Sequence, residues 1–494
     1  MASQKLYEAR ELEVDLEKKI DKESRPSFHL SPRTGWMNDP NGFSYYDGKY
    51  HMFYQYHPYD TNWGPMHWGH AVSEDLLHWD YFPVAMAPDE SYDEAGCFSG
   101  SATILPDGRH LLMYTGVAKG QLPNGTICDI QTQCIATGDG VDYVKYEKNP
   151  VLDAKDLPEG ASKIDFRDPK IWKGKDGVFY SVVGNRPADG SGQILLFSSG
   201  DGFDWKFENV LIKNGHRYGK MWECPDFFAL DGKWVLLTSP QDMQAEGLEY
   251  TNGNGTLCLI GDFDKASKSF EEQFNQSVDY GIDFYAPQTI ETPDGRRIMI
   301  GWMQNWDTCS YRMPDTKWYG QMSIPREISI KNNRLYQNPI KEVAKLRCNE
   351  VAYKNVVFED ALKLDGIEGR RIDMEIELSK AEGQELYKKF IIHVAEDEKH
   401  YTEIKFVPQE ATLRMDRKFA GSCRAIVHER ECRVNTENGK LKMRFIMDRF
   451  SVEVFVNDGE QAMSFTIYTD QKADGISFCA DGFVKMDILK CDLL

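Results

Sequence analysis

Among the Asp-Gly dipeptides in the first part of this chain, five divide it into repeats of similar length. They are Asp47-Gly48, Asp107-Gly108, Asp176-Gly177, Asp231-Gly232 and Asp294-Gly295, and an apolar run follows each of them. Asp-Gly between two apolar runs is a strong short-range signal for a β-hairpin. The turns lie 60, 69, 55 and 63 residues apart. Repeats of this length with strand signals predict a β-propeller in which each repeat forms one blade.

The position eight residues before each turn carries a repeated chemistry. These positions are Asp39, Ser99, Asp168, Glu223 and Ala286, so three of the five are carboxylates. Each of the three acids stands one or two residues before a proline. Ordinary hairpin-entry residues would not place three acids in one register of the repeat. Because equivalent positions of propeller blades surround one axis, the pattern predicts three carboxylates in one central funnel.

The first of these acids lies in a block of turn-forming residues, Trp36–Gly42. Pro40 fixes its own φ, and Gly42 accepts conformations that other residues avoid. The segment therefore predicts a tight turn that opens into a strand at Phe43. Such a block is most often a plain surface turn. Its register with two further acids favours a carboxylate, Asp39, held rigidly at the mouth of a strand.

The three acidic blocks resemble the signature blocks of glycoside hydrolase family 32. They are Trp36–Gly42, Phe166-Arg167-Asp168-Pro169 and Trp222–Asp226, and they occur in the family's order. The resemblance covers the chain from about His29 onward. That family contains invertases, sucrose-6-phosphate hydrolases, inulinases, levanases and some fructosyltransferases. The resemblance implies a β-fructofuranosidase, a retaining hydrolase that removes terminal β-D-fructofuranosyl residues through a fructosyl-enzyme intermediate.

The resemblance also implies roles for individual residues, which the residues alone leave open. Asp39 becomes the nucleophile, Glu223 the acid and base, and Asp168 the carboxylate that holds fructose hydroxyls, with Arg167 beside Asp168 to keep it ionised. Retaining enzymes need one ionised and one protonated carboxyl about 5 Å apart. Amide, hydroxyl and guanidinium groups suit a polyhydroxyl ring, and aromatic faces cover its apolar side. The residues that match the family's fructose pocket are Asn38, Gln55, Trp63, Phe98, Ser99, Arg167 and Tyr285, with Trp306 at its rim.

The second part of the chain has a different pattern. At 494 residues the chain is expected to form two domains. From about Glu350 the apolar residues alternate, as in Ile372–Leu378 and Ser451–Val456, which predicts an antiparallel β-sandwich. We expect this sandwich to stabilise the propeller, and a lectin-like role is the alternative. The predicted all-β organisation is an N-terminal helical extension over 1–26, a five-bladed β-propeller over 27–337, a linker over 338–349 and a β-sandwich over 350–494.

Charge, apolar runs and cysteine usage limit the partners of this chain. A net charge of −20 disfavours nucleic acid and anionic membranes as partners. No stretch approaches the roughly 20 apolar residues that a membrane span needs. The eleven cysteines show no paired spacing and the N-terminus lacks an apolar signal core, so we expect a reduced, cytoplasmic protein. His67 and His70 have no third ligand in sight, so we predict no metal and no cofactor.

Several functions stay open beside the leading one, which is hydrolysis of sucrose and short fructo-oligosaccharides. Sucrose-6-phosphate hydrolase is the first alternative, because His216, Arg217 and Lys220 precede Glu223 and could meet a phosphate. A fructan exohydrolase and an inverting enzyme on arabinan or xylan are further alternatives, although the Trp36–Gly42 block argues against the inverting one. A non-enzymatic sugar-binding propeller would not need three acids in register.

Overall fold

The computed structural model of the chain describes residues 3–122, 125–309, 316–422 and 426–494. It begins with helix α1, Gln4–Glu17, which lies within the helical extension that the sequence predicted over 1–26. The Ser3 hydroxyl caps this helix by accepting a hydrogen bond from the Leu6 backbone N–H at 3.2 Å. Three short 3₁₀ segments follow along the chain, at Lys22–Ser24, Ala154–Asp156 and Lys341–Leu346.

Most of the chain up to Pro339 forms five antiparallel sheets. The first contains β1 Gly35–Tyr46, β2 Lys49–His57, β3 His67–Ser73 and β4 Asp80–Met86. The second contains β5 Gly96–Ile104, β6 His110–Gln121, β7 Ile127–Gly138 and β8 Tyr143–Lys145. The third contains β9 Phe166–Lys173, β10 Phe179–Asn185, β11 Gln193–Ser199 and β12 Trp205–Lys213. The fourth contains β13 Trp222–Leu230, β14 Lys233–Pro240, β15 Leu257–Asp264 and β16 Ser269–Ser277. The fifth contains β17 Tyr285–Glu291, β18 Arg297–Trp302, β20 Arg326–Lys331 and β21 Arg334–Pro339, while β19 Trp318–Tyr319 joins the first sheet.

The first strand of each sheet lies at the centre of a ring. Strands β1, β5, β9, β13 and β17 each contact the next, and β17 contacts β1, so the ring closes. Strand β19 pairs parallel to β1, with Gly35 opposite Trp318, and ties the fifth blade to the first. Helix α1 packs on β4 at the outer edge of the first blade. The predicted five-bladed β-propeller is confirmed.

The pairing of every innermost strand is interrupted at the same place. The skipped segments lie between Met37 and Pro40, Phe98 and Gly100, Arg167 and Lys170, Glu223 and Asp226, and Tyr285 and Gln288. An unpaired residue bends a strand and re-aims its side chains. These irregularities fall at or next to the five positions that lie eight residues before the turns. They explain why one register of the repeat faces the central funnel.

The strands of the C-terminal part belong to one continuous ten-stranded sheet. They are β22 Arg347–Leu362, β23 Ile372–Lys380, β24 Lys389–Glu396, β25 Thr402–Val407, β26 Thr412–Asp416, β27 Glu429–Arg433, β28 Leu441–Asp448, β29 Ser451–Val456, β30 Gln461–Thr466 and β31 Gly475–Leu493. Strand β27 lies at one end of the strand order and strand β30 at the other. The long strand β31 pairs with β24 through its first half and with β23 through its second half. This arrangement is the predicted sandwich. The domain division with a linker over 338–349 stays a prediction, since β22 already begins at Arg347.

A buried ionic network joins the propeller to the sandwich. His29 contacts Asp448 at 3.0 Å through Nδ1 and Glu453 at 2.9 Å through Nε2. The Arg326 guanidinium pairs with Glu453 and, at 2.9 Å, with Asp279. Burial opposes the charge on His29, but hydrogen bonds and charges of Asp448 and Glu453 outweigh it and raise its pKa to about 9. His29 therefore stays protonated and holds two carboxylates of the sandwich against the propeller.

Replacing His29 by Gln should lower the melting temperature of the protein. It should also make the melting temperature depend less on pH. The folded pKa of His29 is about 9, against about 6.5 in an unfolded chain, so its contribution is fully present below about pH 6.5. It is lost as the pH rises through 9. A buried carboxylate left without its cation costs about 3 kcal/mol. Thermal unfolding between pH 6 and 9 checks this, with the exposed His78→Gln as the control, and an unchanged pH profile in His29→Gln would contradict it.

Two further observations concern the expected cellular context. No helix in the described ranges is long and apolar enough to cross a membrane. The cysteines at 97, 134, 224, 258, 432 and 491 are buried thiols, whereas Cys423 lies outside the described residues.

Candidate active site

A cavity of about 400 Å³ lies at the end of the funnel where the innermost strands begin. Ten of the eleven residues predicted for the site line it, which are Asn38, Asp39, Gln55, Trp63, Phe98, Ser99, Arg167, Asp168, Glu223 and Trp306. The eleventh, Tyr285, is fully buried and lies behind Glu223 rather than in the lining. The structure therefore brings together residues from all five blades.

Asp39 is held in a polar cradle at the bottom of this cavity. The Ser99 hydroxyl donates to its Oδ2 at 2.7 Å, and the Asn38 amide donates to its Oδ1 at 3.1 Å. The Trp36 indole N–H fixes that amide by donating to Asn38 Oδ1 at 2.8 Å. Burial raises the pKa of Asp39, while the bonds from Ser99 and Asn38 favour its ionised form. The cradle keeps an acceptor-only carboxylate in one orientation.

Asp168 is positioned by its backbone as much as by its side chain. Its φ is +68°, in the left-handed region that favours glycine. The backbone N–H of Asp168 donates to Thr115 Oγ1 at 2.9 Å, and the Cys224 N–H donates to its Oδ2 at 3.0 Å. Burial is the main cause that raises the pKa of Asp168, to about 7. The positive charge of Arg167 lowers this pKa, and the negative charge of Glu223 raises it.

Glu223 is held at both of its oxygens. Arg167 donates to Oε1 through Nε at 3.0 Å and through a terminal nitrogen at 2.9 Å. The Tyr285 hydroxyl lies 2.6 Å from Oε2 and 3.0 Å from the Ser239 carbonyl. A hydroxyl has one proton, so Tyr285 donates to an ionised Glu223 or, when Glu223 is protonated, accepts from it and donates to Ser239. This pair can accommodate both protonation states of Glu223.

The expectation that Arg167 serves Asp168 is only partly met. The guanidinium lies 4.0 Å from Asp168 and acts on it through charge, whereas its hydrogen bonds go to Glu223 and Asp165. Burial opposes the charge on Arg167, but the surrounding carboxylates outweigh it and raise its pKa. Arg167 is therefore a permanent cation that binds Glu223 directly.

Cys224 is a central contact that sequence reasoning missed. Its sulfur lies 3.5 Å from Asp39 Oδ2 and 3.6 Å from Asp168 Oδ2, between two of the three acids. Burial and the neighbouring carboxylates raise its pKa well above the ordinary value. The group therefore stays a neutral thiol that can donate one hydrogen bond. Its position next to Glu223 in the block Trp222–Asp226 was the available signal.

Other lining residues come from strand β7, from loops and from positions just beyond strand ends, where no periodic signal marks them. These residues are Cys128, Asp129, Gln131, Ile164, Asp165, Arg186 and Gln241. Gln131 Oε1 accepts from the Phe166 backbone N–H at 2.9 Å. Asp165 pairs with Arg167 at 3.0 Å and with Arg186 at 2.6 Å. This side of the cavity therefore presents paired charges and amides around an open mouth.

The histidines considered as metal ligands do not converge. His67 Nδ1 contacts the Pro65 carbonyl at 2.9 Å, and His70 Nε2 contacts His51 at 3.0 Å. Among the described residues, a group with metal-type ligands occurs in the sandwich at Asp416, outside the cavity. The expectation that the site works without a metal or a cofactor stays a prediction.

The arrangement of acids can be compared with known families. Residues 29–339 match the model of the glycosyl hydrolases family 32 N-terminal domain, and residues 342–492 match that of the family's C-terminal domain. The chain belongs to glycosyl hydrolase family 32. The resemblance of the three signature blocks to this family is confirmed, and the chain is a hydrolase.

Named members of family 32 match this chain over nearly its whole length. A sucrose-6-phosphate hydrolase of Escherichia coli is 34% identical over 491 residues, with 97% of each chain covered. A raffinose invertase of Escherichia coli is 36% identical over 461 residues, with 92% of each covered. The structure of a family 32 β-fructofuranosidase mutant of Bombyx mori in complex with sucrose has a TM-score of 0.83 and 34% identity, and covers 99% of this chain and 98% of that one.

Proposed function

We propose that this family 32 hydrolase removes terminal β-D-fructofuranosyl residues from sucrose and short fructo-oligosaccharides with retention of configuration. One observation carries this function: Asp39, Asp168 and Glu223, from equivalent positions of three blades, line one cavity together with amide, hydroxyl and aromatic groups. Relatives named for sucrose 6-phosphate and raffinose, and a relative solved with sucrose, support a small sugar substrate.

In the first step Asp39 attacks the anomeric C2 of the fructosyl unit. A bond forms between a carboxylate oxygen and C2, and the bond from C2 to the leaving oxygen breaks. Glu223 gives its proton to that oxygen, and the transition state has oxocarbenium character. The hydrogen bonds from Ser99 and Asn38 hold the attacking carboxylate in place.

In the second step Glu223 acts as a base. It takes a proton from water while the water oxygen forms a bond to C2, and the bond between C2 and Asp39 breaks. Tyr285 can reverse its hydrogen bond between Glu223 and Ser239 as the proton leaves and returns. Arg167 holds the ionised form of Glu223 between the two steps.

Asp168 is proposed to bind fructose hydroxyls rather than to transfer a proton to the leaving group. Its Oδ2 already accepts from the Cys224 N–H, which leaves Oδ1 for a substrate hydroxyl. When ionised, it also stabilises positive charge that develops on the ring. Gln55, Trp63, Phe98 and Trp306 are proposed to shape the pocket around the sugar, because they line the same cavity.

The charge of the described lining favours a neutral sugar over a phosphorylated one. It contains five carboxylates, Asp39, Asp129, Asp165, Asp168 and Glu223, against the guanidinium groups of Arg167 and Arg186. Both guanidinium groups already pair with Asp165. A phosphate would meet like charge here, and like-charge contacts disfavour binding.

The cations proposed for a phosphate lie elsewhere in the described structure. His216, Arg217 and Lys220 are exposed and are not part of the described cavity lining. Arg217 pairs with Glu272, and Lys220 pairs with Asp242 at 3.3 Å. The position of these cations makes sucrose-6-phosphate hydrolase the second candidate rather than the first. Its support is that relatives of this chain are named as sucrose-6-phosphate hydrolases.

We expect sucrose to exceed sucrose 6-phosphate in kcat/KM by about tenfold or more, a difference of about 1.4 kcal/mol in transition-state binding. Kestose should behave like sucrose, and long inulin should be slower. Initial rates of glucose or glucose 6-phosphate release from the two sucroses, and of fructose release from the two fructans, check this order. Release of glucose also separates an enzyme from a sugar-binding propeller.

Arg186→Gln serves as the control for phosphate recognition. If no phosphate is recognised, this variant should change kcat/KM for sucrose and sucrose 6-phosphate by the same factor. Higher kcat/KM on sucrose 6-phosphate, lost selectively in Arg186→Gln, would establish the second candidate instead.

A cytoplasmic location is proposed on the cysteines. Six buried thiols among the described residues, at 97, 134, 224, 258, 432 and 491, suit a reducing compartment.

A further inference from the structure

A second and larger hollow opens at the opposite end of the propeller, between the third and fourth blades. Its volume is about 850 Å³, against about 400 Å³ for the active-site cavity. It includes Asp176 of the third Asp-Gly turn, whereas Asp168 at the other end of strand β9 faces the cavity. The two sites therefore occupy opposite faces of the same blades, and we call this one the distal hollow.

Aromatic rings form one wall of the distal hollow. Phe227 stacks on Trp234 at 4.6 Å between ring centroids, and Trp234 lies 5.0 Å from Phe263. Trp172 extends the wall, at 6.1 Å from Phe227. Trp172, Trp234 and Phe263 are only half-buried, so part of their surface faces the hollow. Such surfaces accept the apolar face of a sugar or the face of a planar ring.

Four lysines belong to the lining of the distal hollow and form no close ion pair with a described residue. In the parts of the chain that the structure describes, no carboxylate lies within 4.0 Å of the ammonium groups of Lys173, Lys175, Lys265 or Lys268. The Lys268 ammonium instead lies 4.7 Å above the Tyr180 ring. The other charges of the described lining nearly cancel, because Lys170 pairs with Asp226 and Arg297 with Glu291. The four lysines then face only Asp176 in that lining, so the local field is positive. That field favours an anionic occupant.

The floor of the distal hollow contains an unused acceptor. Asp226 is 1% exposed, and its Oδ1 has no hydrogen-bond partner. Its Oδ2 is satisfied by Lys170 at 3.0 Å and by the Thr289 N–H at 2.6 Å. A buried acceptor without a partner costs about 1–3 kcal/mol. A ligand hydroxyl or amino group at this point would remove that cost.

We propose that the distal hollow is a second binding site, for a small phosphorylated ring compound. The phosphate meets the lysines, the ring lies against Trp172 and Trp234, and a hydroxyl or amino group donates to Asp226 Oδ1. A bare anion would leave the aromatic wall and Asp226 unused, and a neutral sugar would leave the lysines unpaired. Sugar phosphates and nucleotides share the required chemistry. The site is independent of the fructoside hydrolysis proposed above.

Calorimetric titration of the full chain tests this site with four probes: fructose 6-phosphate, adenosine monophosphate, inorganic phosphate and fructose. We expect one saturable site for at least one of the two phosphorylated ring compounds, tighter than for inorganic phosphate. Tighter binding of fructose 6-phosphate would identify the ring as a sugar, and tighter binding of adenosine monophosphate would identify it as a nucleobase. The double variant Lys173→Glu/Lys268→Glu should weaken that binding by about tenfold or more. It should leave kcat/KM for sucrose unchanged.

The matched control replaces two exposed lysines of the sandwich, Lys354→Glu/Lys389→Glu. It should bind the phosphorylated ring compound as tightly as the unaltered chain does. Sucrose in excess, added to Asp39→Ala, should not displace the phosphorylated compound. The proposal is overturned if neither ring compound binds saturably, or if inorganic phosphate binds as well, which would mean an adventitious ion only. Displacement by sucrose, or equal binding in the double lysine variant, would overturn it as well.

Discussion

Replacing Asp39 by alanine is expected to lower kcat by a factor on the order of 10⁵ on every fructoside, because no other group can form the covalent bond to C2. The loss should not depend on the leaving group. Burial raises the pKa of Asp39, so removal of this carboxylate relieves a desolvation cost and should not lower the melting temperature. Initial rates on sucrose and on an aryl fructoside, with thermal unfolding beside them, check both statements.

The exposed Asp80→Ala, on strand β4 of the same blade, is the control and should keep full activity. Ser99→Ala removes one hydrogen bond to Asp39, so its loss of kcat should be larger than that of Asp80→Ala and smaller than that of Asp39→Ala. A value of kcat within tenfold of the unaltered chain in Asp39→Ala would show that another group is the nucleophile.

Replacing Glu223 by alanine should lower activity on sucrose by about 10²–10⁴-fold, since only proton transfer is lost. The glucosyl oxygen of sucrose leaves poorly without a proton. An aryl fructoside with an acidic leaving group needs little help, so its first step should be much less affected. The ratio of kcat/KM values for the two substrates, in both forms of the enzyme, measures this dependence.

Asp168→Ala is the comparison that separates the two carboxyls. It removes hydroxyl contacts and charge stabilisation, so it should slow both substrates by similar factors. If Asp168→Ala showed the leaving-group dependence and Glu223→Ala did not, the acid and base would have to be reassigned to Asp168.

The convergence of the acids was predictable because it depends on a local and repeated feature. The Asp-Gly turns set the end of each hairpin, and the interrupted pairing at Asp39, Asp168 and near Glu223 recurs at one distance from the turn. A fixed distance along a strand determines which residues face the funnel. The repeat therefore contains enough information for both the propeller and the three acids.

The partners of these acids were less predictable because they come from other blades. Thr115 on strand β6 accepts from the backbone of Asp168, and Cys224 lies between Asp39 and Asp168. Arg167 bonds to Glu223 on the neighbouring blade instead of the adjacent Asp168. Such contacts depend on how blades pack together, which periodicity along one strand does not encode.

The same limit applies to the phosphate hypothesis. His216, Arg217 and Lys220 are close to Glu223 in sequence, yet Arg217 and Lys220 pair with Glu272 and Asp242. Proximity along the chain did not place these cations in the described cavity lining. The charge of that lining became visible only when loops from several blades were placed together.

The most direct test of the proposed mechanism is to trap the covalent intermediate. Glu223→Ala is mixed with an activated aryl fructoside, quenched in acid, digested and examined by mass spectrometry. We expect one fructosyl group on the peptide that contains Asp39, and fructosyl azide of retained configuration when azide is added before the quench. A fructosyl group on Asp168, or no adduct together with a product of inverted configuration, would contradict the account.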